Sequence, residues 1–146
     1  MAPQSAIRGR AGCCNVENIM IVGTGIDLME IERVRESYAR HGERFLNHIF
    51  TEGEQQYCLR KKNSAESLTA RFAAKEAAAK ALGTGMSRGV SWLEIEVVRQ
   101  PGQAPTIHFH GRAAERAARL GAARASLSIS HSRDFSIAQV ILEDGR

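Results

Sequence analysis

Proline and cysteine are scarce, three of each in 146 residues. Two of the cysteines are adjacent, Cys13 and Cys14, and Cys58 stands far from both. Neither a disulfide framework nor the paired spacing of a zinc site can be drawn from that set. Cys58 lies in a helical stretch and reads as a small buried hydrophobe, not as a nucleophile. Aromatic residues make up only 5% of the chain, too few to interleave with basic residues as a stacking platform for single-stranded nucleic acid. No nucleic-acid-binding motif is present either. No apolar run reaches about 18 residues, which excludes a membrane-spanning helix. Arg8 and Arg10 near the start are not followed by the apolar core of a signal peptide, so a reducing cytoplasm is the expected compartment.

Charge of one sign is in mild excess: 20 Lys and Arg against 16 Asp and Glu give +4. That balance suits an acidic or phosphorylated partner without demonstrating one. Hydrophobic residues at 43% and charged residues at 25% exclude collagen-like, low-complexity and wholly disordered chains. A chain of this length has room for one domain and buries about 68–70% of its unfolded surface, so no metal or disulfide staple is needed for folding. Residues 1–19 lack any apolar period and read as a disordered extension. The domain is expected over 20–146, with Met20 as its natural start.

The first clean apolar segment, Met20–Ile26, reads as a strand entering a Gly23-Thr24-Gly25 turn. From Glu30 to about Arg44 the period becomes helical, with Ile31, Val34 and Tyr38 on one face and Arg33, Arg40 and Arg44 on the other. Thr51-Glu52-Gly53-Glu54 is a capping box that opens a second helix, which ends in the basic cluster Arg60-Lys61-Lys62. Asn63, with Glu66 at the third helical position, caps a long alanine-rich helix that Gly83 stops. Val90–Arg99 alternates as a strand with Leu93, Ile95 and Val97 on one face, and Pro101-Gly102 turns it into a second short strand, Thr106–His110. Gly111–Leu120 is a basic helix closed by Gly121, and Ser126–Ser130 with Ser136–Leu142 forms a final strand pair. Helices early and a mainly antiparallel sheet late make a single-domain α+β fold.

Three places could carry chemistry. Gly23-Thr24-Gly25 fails as a dinucleotide-binding fingerprint because Leu28 stands where a third glycine is required. Asp27, an acid between Ile26 and Leu28, reads from its own segment as a helix cap or an acceptor of backbone hydrogen bonds, with a metal-ligand role open beside Glu76. Glu76 and Lys80, four residues apart, share one helical face. They fit either an exposed ion pair or a hard oxygen ligand for Mg²⁺ beside a cation that meets phosphate charge. His131, after a strand and flanked by Ser130, Ser132 and Arg133, fits either a structural role or contact with an anionic ligand. His108 and His110 share a strand face but have no third ligand beside them. On these residues alone, a small basic binding module without catalysis, or a chain that binds its co-substrate without turning it over, stays open beside an enzyme.

Taken in order, Gly25-Ile26-Asp27-Leu28 with Ile31 and Arg33, Phe50-Thr51-x-x-Glu54-x-x-Tyr57-Cys58, the block Arg71–Gly85 and Ser128-Ile129-Ser130-His131 resemble holo-[acyl-carrier-protein] synthase, the short bacterial type of 4′-phosphopantetheinyl transferase. The resemblance runs from about Met20 to Glu143. Phe135 and Ser136 depart from it, standing where the family often has Tyr-Ala. It implies the 4′-phosphopantetheinyl transferase fold and Mg²⁺-dependent transfer of the 4′-phosphopantetheine arm of coenzyme A to a serine of apo-acyl carrier protein. Adenosine 3′,5′-bisphosphate is released, in the service of fatty acid biosynthesis. By matching position it implies Asp27 and Glu76 as metal ligands and catalytic groups, and Lys80 as a catalytic lysine at the diphosphate. Arg71, Lys80, Gly83, Thr84 and His131 would hold coenzyme A. Arg33 matches a family position, and with Arg40 and Arg44 would meet the acidic carrier. It further implies a homotrimer with sites between protomers, so that His131 serves a neighbour's Asp27 and Glu76, with neither nucleic acid nor membrane as partner.

Overall fold

The computed structural model describes residues 18–145 in the order β1 (Ile21–Glu30), α1 (Ile31–His41), α2 (Glu43–Ile49), α3 (Glu52–Leu59), α4 (Ser64–Ala81), a 3-10 turn (Trp92–Glu94), β2 (Ile95–Val98), β3 (Thr106–Phe109), α5 (Gly111–Leu120), β4 (Ala122–His131) and β5 (Phe135–Asp144). Arg8, Arg10, Cys13, Cys14 and almost all of the extension expected at residues 1–19 lie outside the described residues. The α+β class holds, and both sheets are antiparallel: β1-β5-β4 with β5 central, and the pair β2-β3.

Glycine spacing on β1 determines how α4 meets the sheet. A Cβ on Gly25 would overlap the Ala77 carbonyl oxygen and come within 2.8 Å of the Ala81 nitrogen, while one on Gly23 would overlap the Ala81 carbonyl. Strand and helix backbones are therefore in direct contact, which only glycine on one side and alanine on the other permit. Ala73, Ala74, Ala77 and Ala78 are fully buried in the same core as Val140 and Leu142 of β5. The expected glycine turn does not form. Gly23-Thr24-Gly25 is strand, paired with β5, because the ladder places Gly25 opposite Val140 and Asp27 opposite Ala138.

Two other sequence expectations are corrected. The first helix does not run to Arg44. Gly42 adopts φ +54°, its N–H closes on the Tyr38 carbonyl at 2.8 Å, and a separate short helix, α2, follows. In the segment expected as one strand, Val90–Arg99, Ser91 instead caps a 3-10 turn through a capping box with Glu94, and β2 starts only at Ile95. Leu93 is 43% exposed and does not join Ile95 and Val97 on the buried face. The Thr51–Glu54 capping box, the Asn63 cap with Glu66 and the α5 stop at Gly121 form as the sequence indicates. β4 and β5 are longer than expected, joined through a turn in which Ser132 N–H donates to the Phe135 carbonyl.

A second, smaller core lies under the helices: Val34, Leu46, Ile49, Phe50, Cys58 and Leu68, with Phe72 and Trp92 packed against it. Cys58 is fully buried, as its helical setting suggested, and burial pushes its thiol above the ordinary range.

Candidate active site

The β1–α4 contact brings Asp27 to the same cleft as Glu76 and Lys80. This cleft, of about 610 Å³, is also lined by Arg33 and Ser37 of α1, Phe45, Phe72 and Phe135. Lys80 Nζ donates to Asp27 Oδ1 and to the Ile26 carbonyl, each at 3.0 Å. Lys80 thus ties strand to helix, and its ion pair is with Asp27 across 53 residues, not with Glu76 one turn away. Asp27 does not cap α1. That helix is entered at Glu30 with no side-chain cap.

The other oxygen of Asp27, Oδ2, is buried without a hydrogen-bond partner. A buried carboxylate oxygen left unpartnered is costly unless something arrives to take it. Three carboxylates line the cleft, Asp27, Glu30 and Glu76, but among the described residues no three His, Cys, Asp or Glu side chains are grouped to hold a metal, and the pair that interacts across the cleft is Asp27 with Glu76. Two hard oxygen donors with open space between them and solvent fit Mg²⁺ completed by phosphate and water, and do not fit a structural zinc site.

Burial, then repulsion from Asp27, raise the Glu76 pKa above the usual carboxylate value, and Lys80 and Arg33 pull it partly back. Folded Glu76 therefore holds its proton more tightly than unfolded Glu76. The stability it contributes is full below the unfolded pKa and is lost as pH rises through the folded one. In metal-free buffer, the stability of the wild-type chain relative to Glu76→Gln is expected to fall as pH rises through the mildly acidic range. Thermal melts of both proteins across that range check it; a pH-independent difference counts against the raised pKa.

Arg71 and His131 face a second cleft of about 790 Å³, shared with Tyr57, Lys61, Lys62, Glu66 and Arg99. Arg71 is only 5% exposed; its guanidinium lies 4.0 Å from the Tyr57 ring, Nη1 reaches Ser67 Oγ at 3.5 Å, and Nε has no acceptor. His131 Nε2 is 3.1 Å from Glu66 Oε1. Gly83 and Thr84 line neither cleft. Thr84 belongs to a smaller arginine-rich cavity beside α5, and Gly83 approaches Arg116. Within this chain, then, the residues expected to hold metal and coenzyme fall in three separate places. Arg33 joins the carboxylate cleft, Arg40 lies exposed further along α1, and Arg44 sits on α2, so the three-arginine stripe on one helix face does not exist.

Two features escaped the sequence reading. Lys75, in the middle of the α4 block, is fully buried and pairs with Glu54 at 2.6 Å, also donating to the Trp92 and Ile95 carbonyls. Arg99 reaches the Tyr57 hydroxyl at 3.3 Å across 42 residues. Neither pairing has a local signal in the chain. Glu54 looked complete as a capping residue, but it also accepts the Val97 N–H at 3.0 Å and so helps tie α3 to β2.

Known proteins share the sequence pattern and the fold of this chain. Residues 23–140 match the profile of the 4′-phosphopantetheinyl transferase superfamily. The chain is similar to the holo-[acyl-carrier-protein] synthase of Koribacter versatilis, 54% identical over 86% of this chain and 100% of the relative. Its fold is similar to the crystal structure of that synthase from Neisseria meningitidis, with a TM-score of 0.78 and 31% identity over 86% of this chain and 100% of the other. It is also similar to the Bacillus anthracis synthase in complex with CoA (3′,5′-ADP), with a TM-score of 0.72 and 37% identity over 86% and 99% of the two chains.

Proposed function

Because the chain belongs to the 4′-phosphopantetheinyl transferase superfamily, among its holo-[acyl-carrier-protein] synthases, we propose that it transfers the 4′-phosphopantetheine arm of coenzyme A to a serine of an apo-acyl carrier protein, releasing adenosine 3′,5′-bisphosphate. The observation that carries this reading is the meeting of Asp27, Glu76 and Lys80 in one cleft, from elements 49 residues apart at their carboxylates and held by glycine–alanine contact. Asp27 and Glu76 would hold Mg²⁺, which when bound supplies charge neutralisation for a diphosphate whose bond is breaking. Lys80, already fixed by Asp27 and the Ile26 carbonyl, presents its ammonium at the cleft mouth to meet the negative charge that develops on the leaving bisphosphate. Arg71 and His131 bind the phosphate-bearing nucleotide end, and Gly83 with Thr84 lines the path of the pantetheine arm. The role in fatty acid biosynthesis and the cytoplasmic setting belong to the same reading. No helix among the described residues is long and apolar enough to cross a membrane.

The separation of the clefts supports assembly. Ile26, Leu28 and Ile137 stand exposed on the outer face of β1 and β5, at 56%, 60% and 37% exposure, with Leu28 opposite Ile137 in the ladder. An apolar sheet face of that kind is ordinarily covered. A homotrimer that covers it and brings His131 of one copy to Asp27 and Glu76 of the next would complete the site. Light scattering reads the assembly, and a monomer at assay concentration would remove this part.

Intact mass spectrometry tests the reaction: the chain, coenzyme A, Mg²⁺ and an apo-carrier should give a carrier heavier by one phosphopantetheinyl group, and chelator should prevent the gain. No gain with several carriers would favour a binding module instead. For the carrier surface, Arg33 is a poor probe because it also acts on Glu76 through the cleft. Arg40, exposed on the same helix, is the better one. Arg40→Glu should slow association with the acidic carrier several-fold at low salt, less at high salt, and leave coenzyme A binding unchanged. Stopped-flow association measured against ionic strength checks it, and an unchanged rate would remove Arg40 from the interface.

A further inference from the structure

We propose that Tyr57 is a positioning residue that gathers Arg71, Lys61 and Arg99 into one anion-holding set for the phosphate-bearing end of coenzyme A, an inference that rests on the co-substrate reading above. The three cations come from three different segments: Lys61 from the turn after α3, Arg71 from α4 and Arg99 from the loop that leaves β2. All three converge on the one side chain. The Arg71 guanidinium lies 4.0 Å from the ring centroid and the Lys61 ammonium 4.6 Å, while Arg99 Nη1 donates to the phenol oxygen at 3.3 Å.

Bringing like charges together opposes itself, and an aromatic face with a phenol oxygen is what offsets it here. Arg99 is further fixed by its Nε, which donates to the Gln103 carbonyl at 3.2 Å. The carboxylate of the same cleft, Glu66, is engaged with His131 at 3.1 Å and accepts from Asn63 at 3.2 Å. It pairs with none of the three cations. Arg71 is nine-tenths buried and its Nε lacks an acceptor. A buried guanidinium with an open donor is an incomplete site, and a phosphate oxygen completes it with the planar, two-pronged geometry that arginine favours. The phenol responds to the same field. Burial pushes it up, but Arg99, Arg71 and Lys61 outweigh burial, and it ionises below the usual tyrosine range.

The test is calorimetric titration of the full chain with coenzyme A and, separately, with inorganic pyrophosphate, at fixed salt. Tyr57→Leu, which removes the ring, should weaken both about tenfold or more. Tyr57→Phe keeps the ring and should recover most of the loss, to within about threefold of wild type. Arg99→Ala, on an exposed side chain, should weaken binding in a protein whose folding is not at issue. In turnover assays, Tyr57→Leu should raise KM for coenzyme A with kcat held, the pattern of a residue acting through binding groups. A folded Tyr57→Leu that binds both ligands like wild type overturns the proposal. Equal losses in Tyr57→Phe and Tyr57→Leu overturn the ring as the gathering element. If wild type binds pyrophosphate in a Tyr57-dependent way but does not bind coenzyme A, the gathered cations stand and the co-substrate reading falls.

Discussion

Replacing Glu76 by glutamine is expected to lower phosphopantetheine transfer by about 10³-fold while the protein stays folded. The substitution keeps the shape of a side chain on the cleft wall and removes one of the two carboxylates proposed to hold Mg²⁺. Losing a ligand that brings a divalent cation to a breaking phosphate bond costs several kcal/mol of transition-state stabilisation, and about 4 kcal/mol is about three orders of magnitude in rate. Asp27→Asn should lose a comparable amount and also release Lys80, whose pairing with Asp27 fixes it at the cleft. Lys80→Ala should lose less, because on the proposed reading it removes charge that would meet the phosphates and leaves Asp27 and Glu76 in place. Initial rates from carrier mass gain check the order of the three. Full activity in Glu76→Gln would leave the enzyme standing and remove the metal site from this cleft.

The largest effect on stability is expected elsewhere, at Lys75→Ala. Lys75 and Glu54 are both essentially inaccessible and lie 2.6 Å apart, and Lys75 also donates to two carbonyls of the segment leading into β2. Burial pushes the ammonium below its ordinary pKa, and the Glu54 carboxylate opposes that shift. Removing the lysine leaves a buried carboxylate without its counter-charge, a loss of about 3–5 kcal/mol. For a domain of this size that lowers Tm by about 10 °C. Coupled substitution, Lys75→Met with Glu54→Gln, should lose less than the sum of the single changes, because no lone charge remains inside. Lys80→Ala is the contrast: its ammonium end is half exposed, and its pair with Asp27 should be worth less than about 1 kcal/mol of stability. Thermal or urea unfolding compares them. A Lys75→Ala protein as stable as Lys80→Ala would show that the buried pair is not the lock between α3, α4 and β2.

The same interior explains what was legible and what was not. Caps were legible because Thr51 with Glu54, and Asn63 with Glu66, act within four residues of themselves. Helix α4 was legible because its alanines state its propensity directly. The break at Gly42 was not. Arg33, Arg40 and Arg44 continue one helical period across it, and only the packing of Leu46 and Ile49 beneath the helices shows why the chain turns there. The strand expected at Val90 failed for a similar reason, since Ser91 and Glu94 satisfy each other as a cap and compete successfully with the ladder.

Sequence by itself determined the α+β class, and it singled out Asp27, Glu76 and Lys80 as candidates for chemistry only through their order in a family resemblance. It also determined the mild positive charge that suits an acidic, phosphate-bearing set of partners. What it could not contain is which of those groups meet. Gly23 and Gly25 read as a turn until α4 lies on them; their missing Cβ atoms are what let the two backbones touch and bring Asp27 to the cleft that Glu76 and Lys80 line. Lys75 reads as one more charge in a helical block until Glu54 is brought against it from a different helix. Tyr57, Arg71 and Arg99, spread along the chain, become a set only when three elements close on one cleft. Local propensity and period act over a few residues, whereas close backbone approach and buried charge pairing are long-range, and only tertiary packing decides them.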